Sequence, residues 1–173
     1  MSYNKIMLNI NTLTDKYKTR KLTEEDIDVV LKLYKTNQKY FDYFNDVPTK
    51  GTVKEDIYAL PKGIELKDKY YLGLFDNDEL VGVVDIIDGY PERGTIYFGL
   101  LMLDDKYKNQ GIGSSIICDF CDELKKQGFK YIKLAYINKS EEANHFWRKN
   151  GFVDSGKISN LKKIDITELV RKL

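Results

Sequence analysis

Histidine and cysteine, which hold most structural zinc ions in proteins, are nearly missing from this sequence. It contains one histidine, His145, and two cysteines, Cys118 and Cys121. A structural zinc site takes about four such ligands, so one thiol pair without a second pair predicts no metal. The two cysteines stand three residues apart on a predicted helix and share one half-buried face. We therefore expect small core thiols that stay reduced.

Long apolar runs and an excess of either charge are also missing. The 28 basic and 27 acidic side chains leave a net charge of +1, so no overall field favours nucleic acid or an anionic membrane. No apolar stretch approaches the roughly 20 residues that span a bilayer. The segment Met1 to Leu8 lacks the apolar core of a secretory signal. These absences predict a cytoplasmic protein with neither nucleic acid nor membrane as a partner.

The length and the order of predicted elements indicate one α+β domain over residues 1–173, with 1–16 as an N-terminal arm or an extra strand. A helix between strands 95–103 and 130–137 predicts that these two strands are parallel in a mixed, mostly antiparallel sheet. Helices are predicted at 24–37, 52–60, 112–127 and 141–150, and strands at 17–22, 70–75, 80–87, 95–103, 130–137 and, within 158–170, at 162–169.

A glycine-containing loop, Tyr107 to Ser115, joins a predicted strand to a predicted helix. Backbone N–H groups at a helix start have no intrahelical partner and lie at the positive end of the helix dipole. Gly111 and Gly113 allow a positive φ or a close approach of an anion to the backbone. The loop therefore predicts an anion cradle, with phosphate as the natural ligand.

Two familiar nucleotide-binding signatures do not fit this loop. The dinucleotide fingerprint needs a third glycine at the position of Ile116, and the Walker motif needs Gly-Lys-Ser/Thr where Gly113 is followed by Ser114 and Ser115. A generic phosphate- or nucleotide-binding module stays open as an alternative.

Together with a second motif, the loop resembles the GNAT family of acyl-CoA-dependent N-acyltransferases. The family signature Arg/Gln-x-x-Gly-x-Gly/Ala has its counterpart in residues 108–113, read as Lys-Asn-Gln-Gly-Ile-Gly. The later family motif Asn-x-x-Ala-x-x-Phe-Tyr-x-x-x-Gly-Phe has its counterpart in residues 140–152, read as Ser-Glu-Glu-Ala-Asn-His-Phe-Trp-Arg-Lys-Asn-Gly-Phe. The resemblance covers about residues 17–173.

The resemblance implies a sheet splayed at the cofactor site and flanked by helices, and transfer of acetyl from acetyl-CoA to an amine by direct attack in a ternary complex. The acceptor would be a small-molecule or peptide amine, and members of this fold often form homodimers. The residues implied to bind CoA are Leu101, Met102, Leu103, Lys108, Asn109, Gln110, Gly111, Ile112, Gly113, Ser114, Asn138, Ser140 and Trp147.

Two departures from the family pattern affect the chemistry. The tyrosine that often protonates the leaving thiolate is replaced by Trp147, whose indole N–H is not a general acid. The glutamate that serves as base in some members falls near Tyr97, and alternation puts Gly99 and Leu101 on the same face, so this strand offers no carboxylate. A non-catalytic acyl-CoA-binding sensor is therefore the alternative function.

The candidate catalytic residues are Asp85, as base, and Tyr97, as proton donor. Asp85 stands in an apolar run, where burial would raise its pKa, although an exposed position on a half-solvated strand is the other interpretation. His145 is expected on a wet helix face.

The predicted acceptor site is aromatic and acidic, which suits a cationic amine. Its proposed members are Tyr40, Tyr43, Phe44, Asp88 and Tyr90. The alternative for the aromatic segment 40–44 is a short helix that packs onto the domain.

Overall fold

One seven-stranded sheet runs through residues 6–173, the part of the chain that the computed structural model describes. The strands are β1 (Lys18–Lys21), β2 (Lys69–Asp76), β3 (Glu79–Asp88), β4 (Thr95–Leu103), β5 (Tyr131–Ile137), β6 (Val153–Leu161) and β7 (Ile164–Lys172), and the helices are α1 (Ile27–Lys35), α2 (Gln38–Asp42), α3 (Lys50–Tyr58), α4 (Ile112–Gln127) and α5 (Glu141–Lys149).

The strand order is β1-β2-β3-β4-β5-β7-β6, and only β4 and β5 pair in parallel. Helix α4 connects those two strands, as a parallel connection requires. The predicted α+β fold with a mixed, mostly antiparallel sheet is confirmed.

Two apolar clusters cover the two faces of the sheet. The α4–α5 cluster packs side chains such as Phe120 and Trp147 against Phe98 of β4. The α1–α3 cluster packs Leu33 and Val53 against Val83 of β3. A side chain's membership in one cluster therefore shows which face of the sheet it occupies.

The N-terminal segment forms an arm along α4, and no strand occurs within residues 6–16. Leu8 and Leu13 are buried in the α4–α5 cluster. The Asn9 N–H donates to Gln127 Oε1 at 2.9 Å, and Gln127 Nε2 donates back to the Asn9 carbonyl at 3.0 Å. Residues 1–5 of the predicted arm lie outside the described part of the chain.

Two local predictions fail. Residues 153–172 form a β-hairpin whose turn is Lys162-Lys163, with φ of 47° and 68°. The strand predicted at 162–169 therefore crosses a turn, and β6 was missed.

Cys121 is a buried core thiol as predicted, but Cys118 is exposed because it lies away from the packed face of α4.

None of the helices within residues 6–173 combines the length and apolarity needed to cross a membrane.

Candidate functional site

The loop between β4 and α4 presents free backbone amides at the helix start. Asn109 and Gly111 adopt left-handed backbone with φ of 57° and 79°. Gly111 is the N-cap and brings no capping side chain. The first backbone hydrogen bond into α4 runs from the Ser115 N–H to the Gly111 carbonyl at 3.0 Å. The amides before Ser115 are therefore left for an anion at the positive end of the helix dipole.

The two glycines of the loop have different physical roles. A Cβ on Gly111 would meet no atom within 4 Å, so this glycine is required by its positive φ alone. A Cβ on Gly113 would lie 3.1 Å from the Phe146 ring, so this glycine allows α5 to pack against the start of α4. Asn150 Nδ2 also donates to Ser114 Oγ at 3.1 Å. Helix α5 thus holds the loop in place.

Three polar side chains in and before the loop already contact other protein groups. Lys108 pairs with Asp105 at 3.3 Å, and Lys106 pairs with Glu79. Gln110 Nε2 donates to the Lys106 carbonyl at 2.6 Å. The backbone amides, rather than these side chains, are therefore the candidate anion ligands of the loop.

Strands β4 and β5 separate immediately after a short parallel contact. Residues Thr95–Phe98 pair with Tyr131–Leu134. Beyond that point β4 stays with β3 as far as Leu103, while β5 stays with β7 as far as Ile137. The gap frees backbone groups on the inner edge of Leu101–Leu103, where the resemblance implies the pantetheine arm.

A β-bulge at Gly99 reverses the alternation of β4. Ile86 pairs with Phe98 and Asp85 pairs with Leu100, so Gly99 has no partner on β3. Beyond the bulge, Leu101 packs with Phe98 in the α4–α5 cluster and Leu100 packs in the α1–α3 cluster. The prediction that Leu101 shares the face of Tyr97 is therefore wrong, because the extra residue shifts the period by one.

Asp85 lies in the interior next to this bulge. Its side chain is 15% exposed and accepts a hydrogen bond at Oδ2 from Lys69 Nζ at 2.9 Å. Within residues 6–173, no group donates to its buried Oδ1. Burial raises the pKa of the Asp85 carboxyl to about 6, although the charge and hydrogen bond of Lys69 lower it. The exposed interpretation of Asp85 is wrong.

Asp85 lines a small cavity of about 70 Å³ beside the point where β4 leaves β5. The other lining residues are Tyr40, Asp56, Ala59, Tyr71, Gly99 and Leu100. Asp56 accepts a hydrogen bond from the Tyr34 hydroxyl at 2.6 Å, and burial raises the pKa of Asp56 as well. We call this space the Asp85 cavity.

Sequence reasoning missed two residues of this site, Lys69 and Asp56. Lys69 is the first residue of β2, and Asp56 stands in α3 among other polar side chains. Neither position carries a local signal, because the pairing of β2 with β3 brings Lys69 to Asp85 and the packing of α3 over the sheet brings Asp56 there.

The aromatic segment both packs and lines a cavity. Phe41 is buried in the α1–α3 cluster, which confirms the packing interpretation. Tyr40 is 36% exposed, contacts the rings of Phe41 and Phe44, and lines the Asp85 cavity. Tyr43 and Phe44 are half-buried and do not line it.

Asp88 and Tyr90 are not brought to the Asp85 cavity. Asp88 is buried opposite Ile96, and Ile96 belongs to the α4–α5 cluster. Asp88, predicted as a member of the acceptor site, therefore occupies the other face of the sheet from Asp85. Tyr90 packs edge-to-face on Tyr97 with ring centroids 5.2 Å apart, and burial raises the pKa of Tyr97 to about 12.

Trp147 is a core side chain. It is 8% exposed and its ring lies 4.9 Å from Phe146, 5.1 Å from Phe152 and 6.5 Å from Phe98, measured between centroids. Its neighbour His145 is exposed, as predicted.

Asn138 and Ser140, which lie after β5, already hold structural hydrogen bonds. The Ser140 hydroxyl caps α5 by accepting from the Ala143 N–H at 3.2 Å. Asn138 Oδ1 accepts from the Thr167 hydroxyl at 2.6 Å. Both residues fix the chain at the open end of the β4–β5 gap.

A surface cavity of about 650 Å³ lies elsewhere, between α1 and the β2–β3 turn. It is lined by one basic residue, Lys32, and by four acidic residues, Asp76, Asp78, Glu79 and Asp104. The excess of negative charge disfavours a phosphate-bearing ligand, so the β4–α4 loop is the better candidate for an anion site.

Comparison with known proteins agrees with this geometry. The family model described as "Acetyltransferase (GNAT) domain" matches residues 32–173. Comparison with curated proteins gives no sequence match.

Solved structures share the fold at low sequence identity. An acetyltransferase from Thermus thermophilus superposes with a TM-score of 0.74 at 21% identity, covering 91% of this chain and 97% of that one. PaiA N-acetyltransferase from Thermoplasma acidophilum, in complex with coenzyme A, gives 0.61 at 18% identity, covering 90% and 98%. A Bacillus subtilis acetyltransferase in complex with CoA gives 0.52 at 20% identity, covering 62% and 79%.

Proposed function

Because the chain belongs to the GNAT acetyltransferase family, we propose that it transfers the acetyl group of acetyl-CoA to the nitrogen of an amine, by direct attack in a ternary complex. One observation carries the proposal: an anion cradle, a strand gap and a buried carboxylate all lie along β4. The cradle lies in the loop after β4, the gap borders Leu101–Leu103 of β4, and Asp85 faces the β4 bulge at Gly99.

The residues present fit coenzyme A. The free amides at Gly111–Ser114 would hold the pyrophosphate, and the backbone freed at Leu101–Leu103 would hold the extended pantetheine arm. The two neighbours in complex with CoA support this assignment through their shared fold. When bound, acetyl-CoA supplies an activated acetyl thioester.

We assign Asp85 as the base. Its carboxylate accepts one proton from the acceptor's ammonium group, which frees the nitrogen lone pair. The nitrogen then bonds to the acetyl carbon as the carbon–sulfur bond breaks; the nitrogen loses its second proton and the leaving sulfur gains one. N–H groups freed on β4 can donate to the thioester carbonyl.

The proton for sulfur does not come from Trp147, because an indole N–H is not acidic enough. Tyr97 stays protonated at neutral pH, since burial raises its pKa to about 12. It is the candidate donor, and the amine's second proton would restore it.

Turnover with a panel of amines tests the proposed function. The purified protein is incubated with acetyl-CoA and each amine, and free thiol and acetylated product are measured together. Stoichiometric release of both with at least one amine is expected. Binding of CoA without thiol release across a broad panel would favour the sensor alternative, and equal affinity for CoA, ATP and NAD in calorimetry would favour the generic nucleotide module.

A further inference from the structure

Lys69 carries a buried ammonium group that contacts Asp85. Its side chain is 1% exposed, and its Nζ donates to Asp85 Oδ2 at 2.9 Å. Lysine is almost never fully buried unless it is paired. An unpaired buried charge is costly, so the contact with Asp85 stabilises the charged lysine in its position.

The register of the sheet brings the two groups together. Lys69 lies opposite Ile87, and Tyr71 lies opposite Asp85, so Lys69 and Asp85 are diagonal neighbours on the same face. On the β4 side, Gly99 lies against the carboxylate. A Cβ at Gly99 would lie 2.5 Å from Asp85 Oδ2. The carboxylate is therefore confined between Lys69 and the bulge.

The second oxygen of the carboxylate is left without a donor. Asp85 Oδ1 is buried, and within residues 6–173 nothing hydrogen-bonds to it. A buried carboxylate oxygen without a donor disfavours the charged form of the acid. The contact of Oδ2 with Lys69 is therefore the interaction that favours the ionised carboxylate.

Other ionisable groups around the cavity come from α1, α2, α3 and β2. Asp56 of α3 is a second carboxylate, bonded by the Tyr34 hydroxyl of α1 at 2.6 Å. Tyr71 of β2 lies beside both aspartates, and Tyr40 of α2 completes the lining. Two charges act on Asp85: Asp56 disfavours its charged form, and Lys69 favours it. A second cation, Lys162, acts on Asp56.

We propose that Lys69 is a positioning residue, which holds Oδ2 of Asp85 and favours the ionised carboxylate that takes the proton of the acceptor's ammonium. The proposal rests on the proposed function, with Asp85 as its base. Lys69 does not touch the reacting atoms. It fixes the orientation of the carboxylate and favours its charged form.

The test is the Lys69→Met variant, which keeps the length of the side chain and removes its charge and donor. The low-pH limb of kcat/KM, measured with one amine throughout, is expected to move up by about one to three pH units, as for the loss of a cation beside a carboxylate. The KM for acetyl-CoA should not change. Lys54→Met, which breaks an exposed pair with Glu24, is the control and should leave the limb in place.

A purely structural lysine would give a different result. Lys69→Met would then lower the melting temperature while the limb stayed where it is in the wild type, and this outcome overturns the proposal. If Lys69→Met does not fold, Lys69→Gln is assayed in the same way, because it keeps an N–H donor without the charge.

A second readout separates this proposal from the proposed function. The ¹³C shift of the Asp85 carboxyl is followed by NMR against pH in the wild type and in the folded Lys69 variant, which needs no turnover. An upward shift of its midpoint in the variant supports the coupling even if no amine is acetylated. An unchanged midpoint refutes it even if the wild type is active.

Discussion

Replacement of Gly111 by aspartate tests the anion cradle most directly. A Cβ at this position would meet no atom within 4 Å, so a new side chain needs no repacking. The φ of 79° is left-handed, and asparagine and aspartate tolerate this region better than other residues, at a cost of about 1–2 kcal/mol. The fold should therefore survive either substitution.

The charge of the new aspartate, rather than its shape, should weaken CoA binding most. A carboxylate about 4 Å from a phosphate charge is repelled by about 4 kcal/mol at an effective dielectric constant of about 20. Full exposure to solvent reduces this to about 2–3 kcal/mol, which corresponds to a loss of roughly 100-fold in affinity. Gly111→Asn is the matched control, because it has the same size and the same ability to cap α4.

Calorimetric titration with CoA measures the difference between the two variants. Gly111→Asn should bind CoA more weakly than the wild type, since its side chain competes for the same amides. Gly111→Asp should bind roughly 100-fold more weakly than Gly111→Asn, with a gap that narrows as salt is added. Equal affinities for the two variants, both folded by circular dichroism, would refute an electrostatic cradle at this loop.

Three further predictions concern the chemistry beyond the cradle. Gly99→Ala should lower kcat at least about tenfold without changing the KM for acetyl-CoA, because its Cβ would lie 2.5 Å from Asp85 Oδ2; a wild-type kcat would contradict this. The wild-type kcat/KM should rise with pH through about 6, the raised pKa of Asp85, as the carboxyl loses its proton, and Asp85→Asn should remove this limb from the pH profile. Trp147→Phe should cost about 1–3 kcal/mol of unfolding free energy by denaturant titration with kcat nearly unchanged, whereas loss of turnover at unchanged stability would show that Trp147 takes part in the chemistry.

Features fixed by local chemistry could be predicted from the sequence. The side chain of Thr23 caps the first helical turn and Asp26 bonds back to the Thr23 N–H, as the order of these residues indicates. The amides at Gly111 follow from a strand, a glycine turn and a helix in succession. The mixed sheet follows from the alternation of strands and helices. The cap and the loop amides depend on residues within a few positions of one another, and the sheet depends only on the order of the elements.

Features that depend on contacts across the sheet could not be predicted. Strand β6 gives no periodic signal because all of its residues, Val153–Leu161, are exposed. The Lys69–Asp85 pair joins residues on neighbouring strands, and lysine at the start of a strand normally points to solvent. Asp88 is predicted in the acceptor site because it is close to Asp85 in sequence, but an odd spacing of three puts the two side chains on opposite faces of the sheet.

The bulge at Gly99 connects the two ends of the candidate site. Without the extra residue, Leu101 would share a face with Gly99, and β4 would keep the alternation that the sequence indicates. With it, Leu100 turns toward α1–α3 beside Asp85, while Leu101 turns toward α4–α5, on the side that leads to the phosphate loop. The bulge also follows directly on the last β4 residue paired with β5, Phe98, so the gap opens where the carboxylate is confined. A glycine is needed there for the space that the Asp85 carboxylate occupies. The separation of the strands and the position of the proposed base are therefore consequences of the same backbone irregularity, and a change that straightens β4 should impair cofactor binding and proton transfer together.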